Sequence, residues 1–135
     1  MLTYEWSSYL MLKLFLIGIG GFLGSILRYS TGGFIHRLMS NPMFPYGTFF
    51  VNVAGCFLIG LLGGLVEMRN LFSPEIRLFL LVGLLGGFTT FSSFGLETYY
   101  MLRGGQIISV LGNVFGNVGF GLMAVWLGMN ATKLM

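Results

Sequence analysis

Four stretches of this chain are each long and apolar enough to cross a bilayer, near residues 13–35, 47–66, 75–100 and 106–130. A helix needs about 20 mostly apolar residues to span the hydrocarbon core. Four spans therefore consume most of a 135-residue chain and leave only short connections. Charged residues make up just 8% of the chain, against about a quarter in a soluble domain, too few for a water-facing surface. The expected architecture is an all-α membrane protein, a single domain over residues 1–135 with four transmembrane helices. Soluble enzyme classes are excluded, and no enzymatic activity is expected.

The seven basic residues do not cluster. They fall singly at Lys13, Arg28, Arg37, Arg69, Arg77, Arg103 and Lys133, mostly at span ends. There they read as anchors that reach the headgroups, which makes lipid an expected partner and nucleic acid not one. Cys56 is the lone cysteine, so neither an intrachain disulfide nor a cysteine metal cluster is expected. Lys13 ahead of an apolar run imitates a secretory signal, but no small-residue cleavage site follows, and the first alanine is Ala54. The segment reads as a retained span, preceded by an interfacial lead, residues 1–12, with Trp6 and Tyr9. The first span is expected to close at the loop Ser40-Asn41-Pro42.

An even number of spans puts both termini on one side, with Lys13, Arg69, Arg77 and Lys133. Arg37 and Arg103 lie opposite, joined by Arg28 if it reaches that surface. So small a bias under the positive-inside rule is compatible with insertion in both orientations. An antiparallel homodimer thus stands beside a single fixed orientation. Glycines recur four apart, at Gly20/Gly24, Gly60/Gly64, Gly83/Gly87 and Gly112/Gly116. That spacing lets helix backbones approach closely in lipid.

Polar groups inside a membrane are costly and mark either helix–helix hydrogen bonds or a path for a solute. In the fourth span, Ser109, Asn113 and Asn117 recur every four residues. They form a one-faced ladder about 12 Å long at 1.5 Å per residue. Asn52 raises the same two alternatives in the second span. The third span gathers glycines, the hydroxyls of Thr89, Thr90, Ser92 and Ser93, and three phenylalanines at mid-membrane. Glycine is a poor helix former, and Ser and Thr compete for backbone bonds. A broken third helix is expected there, with a kink held by back-bonded hydroxyls as the alternative. Irregular backbone at that depth must be enclosed by protein or line a cavity.

Phe91 and Phe94, three apart, share a helical face. Their rings either pack or present positive edges to an anion. Arg28 either reaches the surface or sets a positive vestibule potential. Glu97 is either a proton-coupling acid or a structural partner to a hydroxyl or Arg. His36, the lone histidine, sits at a span end, and no catalytic or nucleotide-binding motif appears.

Three blocks occur in order. They are Gly20-Gly21-Phe22-Leu23-Gly24-Ser25-Ile26-Leu27-Arg28-Tyr29, then Tyr46-Gly47-Thr48-Phe49-Phe50-Val51-Asn52-Val53-Ala54-Gly55. The third is Gly83-Leu84-Leu85-Gly86-Gly87-Phe88-Thr89-Thr90-Phe91-Ser92-Ser93-Phe94, followed by Glu97. Together they resemble the Fluc (CrcB-type) fluoride channels over nearly the whole chain apart from residues 1–12. The resemblance implies an antiparallel dual-topology homodimer that exports fluoride passively across the bacterial cytoplasmic membrane. It implies a fluoride pathway at Thr48, Asn52, Phe91, Phe94, Ser109, Asn113 and Asn117, with Arg28 shaping a vestibule. Thr90, Ser92 and Glu97 would be supporting polar groups. Backbone carbonyls of Gly86 and Thr89 would hold a structural sodium ion. The fourth-span track here carries two amides rather than hydroxyls throughout.

Fluoride is small and strongly hydrated, so passage requires neutral donors and ring edges to replace its water. A positive pore would attract chloride as readily. Two other readings compete: a small proton-coupled multidrug exporter using Glu97, against which the first span offers no carboxylate, and a non-transporting structural subunit.

Overall fold

The structure, a computed structural model, describes residues 2–39 and 43–135, with side chains described from Tyr9 onward. The expected loop Ser40-Asn41-Pro42 and the lead's Trp6 side chain lie outside the described residues. All regular structure among the described residues is helical, and four helical stretches are long and apolar enough to cross a membrane.

The first helix, α1 (Leu2–Leu38), runs 37 residues and passes straight through the segment read as a lead. At 1.5 Å per residue it is about 55 Å long, well beyond the roughly 30 Å hydrocarbon core. No proline interrupts it. Helix α2 (Tyr46–Arg69) begins directly after Pro45 and stops at Asn70, whose left-handed backbone (φ 49°) lets its N–H bond to Leu65 O. Its C-terminal loop is held by Arg77, which donates to Phe72 O at 3.0 Å and to Asn70 Oδ1 at 2.8 Å.

The third span starts at α3 (Pro74–Arg77), where Ser73 caps Ile76 N and proline occupies the first turn. A π-helical stretch Leu78–Leu85 follows, then the short α4 (Gly86–Phe88). Thr89 (φ −83°, ψ 160°) and Thr90 (φ −151°, ψ 114°) are extended. Helix resumes at α5 (Phe91–Arg103), with Thr90 Oγ1 accepting from Ser93 N at 3.1 Å as the cap. After the Gly104-Gly105 turn, where Gly105 takes φ 71°, α6 (Ile107–Ala131) completes the bundle.

Glycines set the packing. A Cβ on Gly20 would lie 2.9 Å from Gly83 Cα, and one on Gly87 3.0 Å from Gly21 Cα. A Cβ on Gly60 would lie 2.9 Å from Val125 Cα, and one on Gly64 2.9 Å from the Thr132 methyl. So α1 seats on the third span and α2 on α6 with almost nothing between backbones. The fourth spaced pair differs, because Gly112 and Gly116 receive the rings of Phe44 and Phe49 instead. Little of the apolar surface is buried inward; the buried hydrophobic residues are Val51, Leu85, Phe88, Met101 and Ala124. That inverted balance suits a protein whose solvent is lipid.

Candidate functional site

The extended pair Thr89-Thr90 interrupts the intrahelical bonding of the third span, and α2 supplies the partner. Asn52 Oδ1 accepts from Thr90 N at 2.8 Å, and Asn52 Nδ2 donates to Thr90 O at 3.2 Å. One carboxamide therefore satisfies both polar groups of an extended residue in a low-dielectric setting, where unmet groups cost about 1–3 kcal/mol each. Since Thr90 N turns to Asn52, the Gly86 carbonyl loses the N–H that would bond it in a continuous helix. Thr89 O instead accepts from Arg28 Nη1 at 3.0 Å. Arg28 is half-buried, its guanidinium turned to the third-span break.

The amides of α6 continue from Asn52. Asn52 Nδ2 also donates to Asn117 Oδ1 at 3.1 Å, and Asn117 Nδ2 donates to Asn113 Oδ1 at 2.9 Å and Asn113 O at 3.0 Å. Asn113, fully buried at 0% exposure, donates to Thr98 Oγ1 at 2.8 Å. Ser109 stands apart: it bonds to none of these groups and lines neither of the cavities described below. Thr98 was not singled out by its sequence context. The available signal was its spacing four residues after Phe94, the distance at which a helical threonine bonds back to a carbonyl.

Phe91 and Phe94 lie with ring centroids 5.5 Å apart and planes tilted by 47°. Phe91 is 85% exposed on the isolated chain. Both rings line a cavity of about 360 Å³ together with Asn52, Gly86, Thr89 and Asn117. On the other side of Thr90 lies a wider cavity of about 860 Å³, lined by Arg28, Thr48, Thr90, Ser93, Glu97 and Gln106, among others. Thr48 Oγ1 donates to Glu97 Oε1 at 2.7 Å, whereas Glu97 Oε2 and Gln106 Oε1 are buried without a partner. Ser92 and Ser93 both approach Thr90 Oγ1, at 3.3 and 3.0 Å. Thr90 is the one residue here that lines both cavities and bonds to Asn52. The arrangement brings neutral donors and ring edges to one place, with a guanidinium close by.

Among the described residues, no group of three or more His, Cys, Asp or Glu side chains could hold a metal. Backbone carbonyls are the remaining donors. The Gly86 oxygen, whose α-helical donor Thr90 N is bonded to Asn52 instead, is the class of hard oxygen donor that a cation such as sodium would require. The Thr89 oxygen keeps a second lone pair beside the Arg28 contact.

Comparison with known proteins adds to this geometry. A family model described as CrcB-like protein, Camphor Resistance (CrcB), matches residues 15–129. The fluoride-specific ion channel FluC of Methylobacillus flagellatus is 40% identical over 124 residues, 92% of this chain and 97% of that protein. The protein of the same name from Rhizobium meliloti is 43% identical, covering 93% and 99%. That of Flavobacterium psychrophilum is 44% identical, covering 91% and 98%.

Proposed function

The chain belongs to the CrcB-like family, and on that premise we propose that it is a fluoride-selective channel of the bacterial cytoplasmic membrane. It is a multi-pass protein with four membrane-crossing helices, and it conducts passively as a channel, without enzymatic turnover. The observation that carries this reading is the Asn52–Thr90 pairing beside the Phe91–Phe94 rings. It puts amide and hydroxyl donors and aromatic edges at mid-membrane, the neutral chemistry that can replace the water of a small, strongly hydrated anion.

In this mechanism the wider cavity acts as the water-filled vestibule. Arg28 raises its potential and so the local anion concentration. The anion then sheds water against the Ser93 hydroxyl, which accepts from Thr90 and lines the same cavity, while Thr48 forms part of the wall with its own proton held by Glu97. The ion passes the ring edges of Phe91 and Phe94 and meets Asn52 and Asn117, whose amide hydrogens are bonded within the protein and turn to the anion only as those bonds open. Asn113, fully buried, supports the fourth-span track through its bond from Asn117, and Ser109 stands at the far end of that helix face without lining either cavity. Glu97, held by Thr48, supports the vestibule wall. The driving force needs no coupling: an inside-negative potential of 100 mV favours exit of a monovalent anion by about 2.3 kcal/mol, roughly a 50-fold gradient.

The working unit in this reading is an antiparallel homodimer. The near-even distribution of basic residues between the two sides supports it, as does the open, ring-lined cavity on the face of one chain. A second copy would cover Phe91 and enclose the path from lipid. Gly86 and Thr89 carbonyls from two copies would make a four-oxygen site for a structural sodium ion on the symmetry axis. When bound, that ion would supply a fixed positive charge at the dimer centre.

The names of the relatives favour a channel over the proton-coupled exporter. Efflux from proteoliposomes under a potassium gradient with valinomycin tests the proposal. Rapid fluoride efflux with negligible chloride efflux is expected; a folded protein that releases no fluoride refutes it.

A further inference from the structure

Followed bond by bond, the polar groups form one directed relay. Thr90 N–H donates to Asn52 Oδ1 (2.8 Å), and Asn52 Nδ2 donates to Asn117 Oδ1 (3.1 Å). Asn117 Nδ2 donates to Asn113 Oδ1 (2.9 Å), Asn113 Nδ2 to Thr98 Oγ1 (2.8 Å), and Thr98 Oγ1 to Phe94 O (2.6 Å). The relay leaves the third span at Thr90, crosses α2 and α6, and returns to the third span at Phe94. Its two ends therefore bracket Phe91, Ser92 and Ser93, and the segment it spans carries both rings.

The direction is enforced chemically. Both hydrogens of the Asn52 amide nitrogen are committed, to Thr90 O and to Asn117. Asn113 offers Thr98 an N–H, so the single Thr98 proton must point elsewhere, and it points to Phe94 O. Hydrogen bonds aligned head to tail polarise one another, and the effect grows in a low dielectric. Asn113 is fully buried and lines neither cavity, so it reaches the pathway only through its neighbours.

We infer that Thr98 and Asn113 are positioning residues: they close a five-bond hydrogen-bonded loop that fixes the backbone at Phe94 and, through it, the setting of the aromatic pair. The inference rests on the channel reading for its consequence in flux, but its structural claim stands separately. Thr98→Val keeps the shape and removes the hydroxyl, so the Asn113 donor loses its acceptor and Phe94 O, which the Thr98 amide still bonds within α5, loses its second donor. Thr98→Ser restores both.

The test uses 4-fluorophenylalanine in place of Phe94, read by 19F NMR on the full chain in micelles, alongside fluoride efflux from liposomes. Thr98→Val should broaden or split the resonance and slow efflux about tenfold, the weight of roughly one hydrogen bond. Thr98→Ser should return both to within about twofold of wild type. In a Phe94→Ile background, Thr98→Val should change efflux no further. Should Thr98→Val not fold, Asn113→Leu breaks the loop one bond earlier and carries the same expectations. An unchanged Phe94 resonance in the folded variant overturns the inference, as does an additive efflux loss in the Phe94→Ile background. Absence of fluoride efflux from the wild type would instead overturn the channel reading, and the NMR comparison would still judge the loop.

Discussion

Gly24→Ala isolates the packing that holds the site together. A Cβ at Gly24 would lie 2.8 Å from Phe88 N and 3.0 Å from Leu84 C, and would collide with the Leu84 carbonyl oxygen. All three are backbone atoms, so no side chain can swing aside. Bringing Phe88 N alone out to an ordinary 3.4 Å contact moves α1 and the third span apart by about 0.6 Å, a lower bound because clearing the Leu84 oxygen takes more. Arg28 lies one turn further along α1, with Nη1 3.0 Å from Thr89 O. The same displacement stretches that pair to about 3.6 Å, outside hydrogen-bonding range. Overpacking costs about 1–3 kcal/mol and the lost charged hydrogen bond about 1.5–3, against about 0.5–1 regained from helix propensity. The net expectation is a loss of about 2–5 kcal/mol. Gly18→Ala, in the same helix with nothing within 4 Å of the added atom, is the matched control and should gain about 0.5–1 kcal/mol. Unfolding by SDS titration in mixed micelles, followed by circular dichroism, compares the two midpoints. A Gly24→Ala protein as resistant as Gly18→Ala would refute the backbone contact and the argument built on it.

Three other outcomes are expected. Phe91→Ile should cut fluoride efflux at least about tenfold with an unchanged unfolding midpoint of the dissociated single chain, where a ring 85% exposed contributes little to packing; unaltered efflux removes Phe91 from the pathway. Asn52→Ala should strip the Thr90 amide of its partner at a cost of about 1–3 kcal/mol, seen as much faster hydrogen exchange at that amide while exchange in α6 beyond Gly121 stays slow. If the proposed sodium site forms between two copies, replacing sodium with N-methyl-D-glucamine should lower the thermal midpoint, and an unaffected midpoint would argue against cation binding at Gly86 and Thr89.

How far the site could be read along the chain varied with the kind of interaction. The Thr48–Glu97 bond joins residues 49 apart, and the Arg28–Thr89 bond residues 61 apart. Sequence marked Arg28 and Glu97 as charges in or near the membrane, and Thr48 entered only through the family resemblance; which groups they meet was left open. For Arg28 the partner is the Thr89 carbonyl, which no local pattern along the first span announces. Thr98 escaped notice because threonine is unremarkable in a helix, and only Asn113 across the bundle gives its hydroxyl a direction. The Gly112/Gly116 spacing suggested backbone contact like the other pairs, yet Phe44 and Phe49 fill the space those glycines leave.

The four spans were determined by the sequence alone, because membrane crossing depends on the length and apolarity of a local segment. The placement of polar groups at mid-membrane was equally local, since asparagine, serine and threonine are visible wherever they interrupt an apolar run. Tertiary structure alone decided which groups meet. A hydrogen bond reaches about 3 Å, and α2, α5 and α6 bring Asn52, Thr98, Asn113 and Asn117 within that distance only after glycines such as Gly60 and Gly128 have let the helices close. Hydropathy fixes that a residue lies in the membrane; the short range of its bonds leaves the choice of partner to the packed bundle.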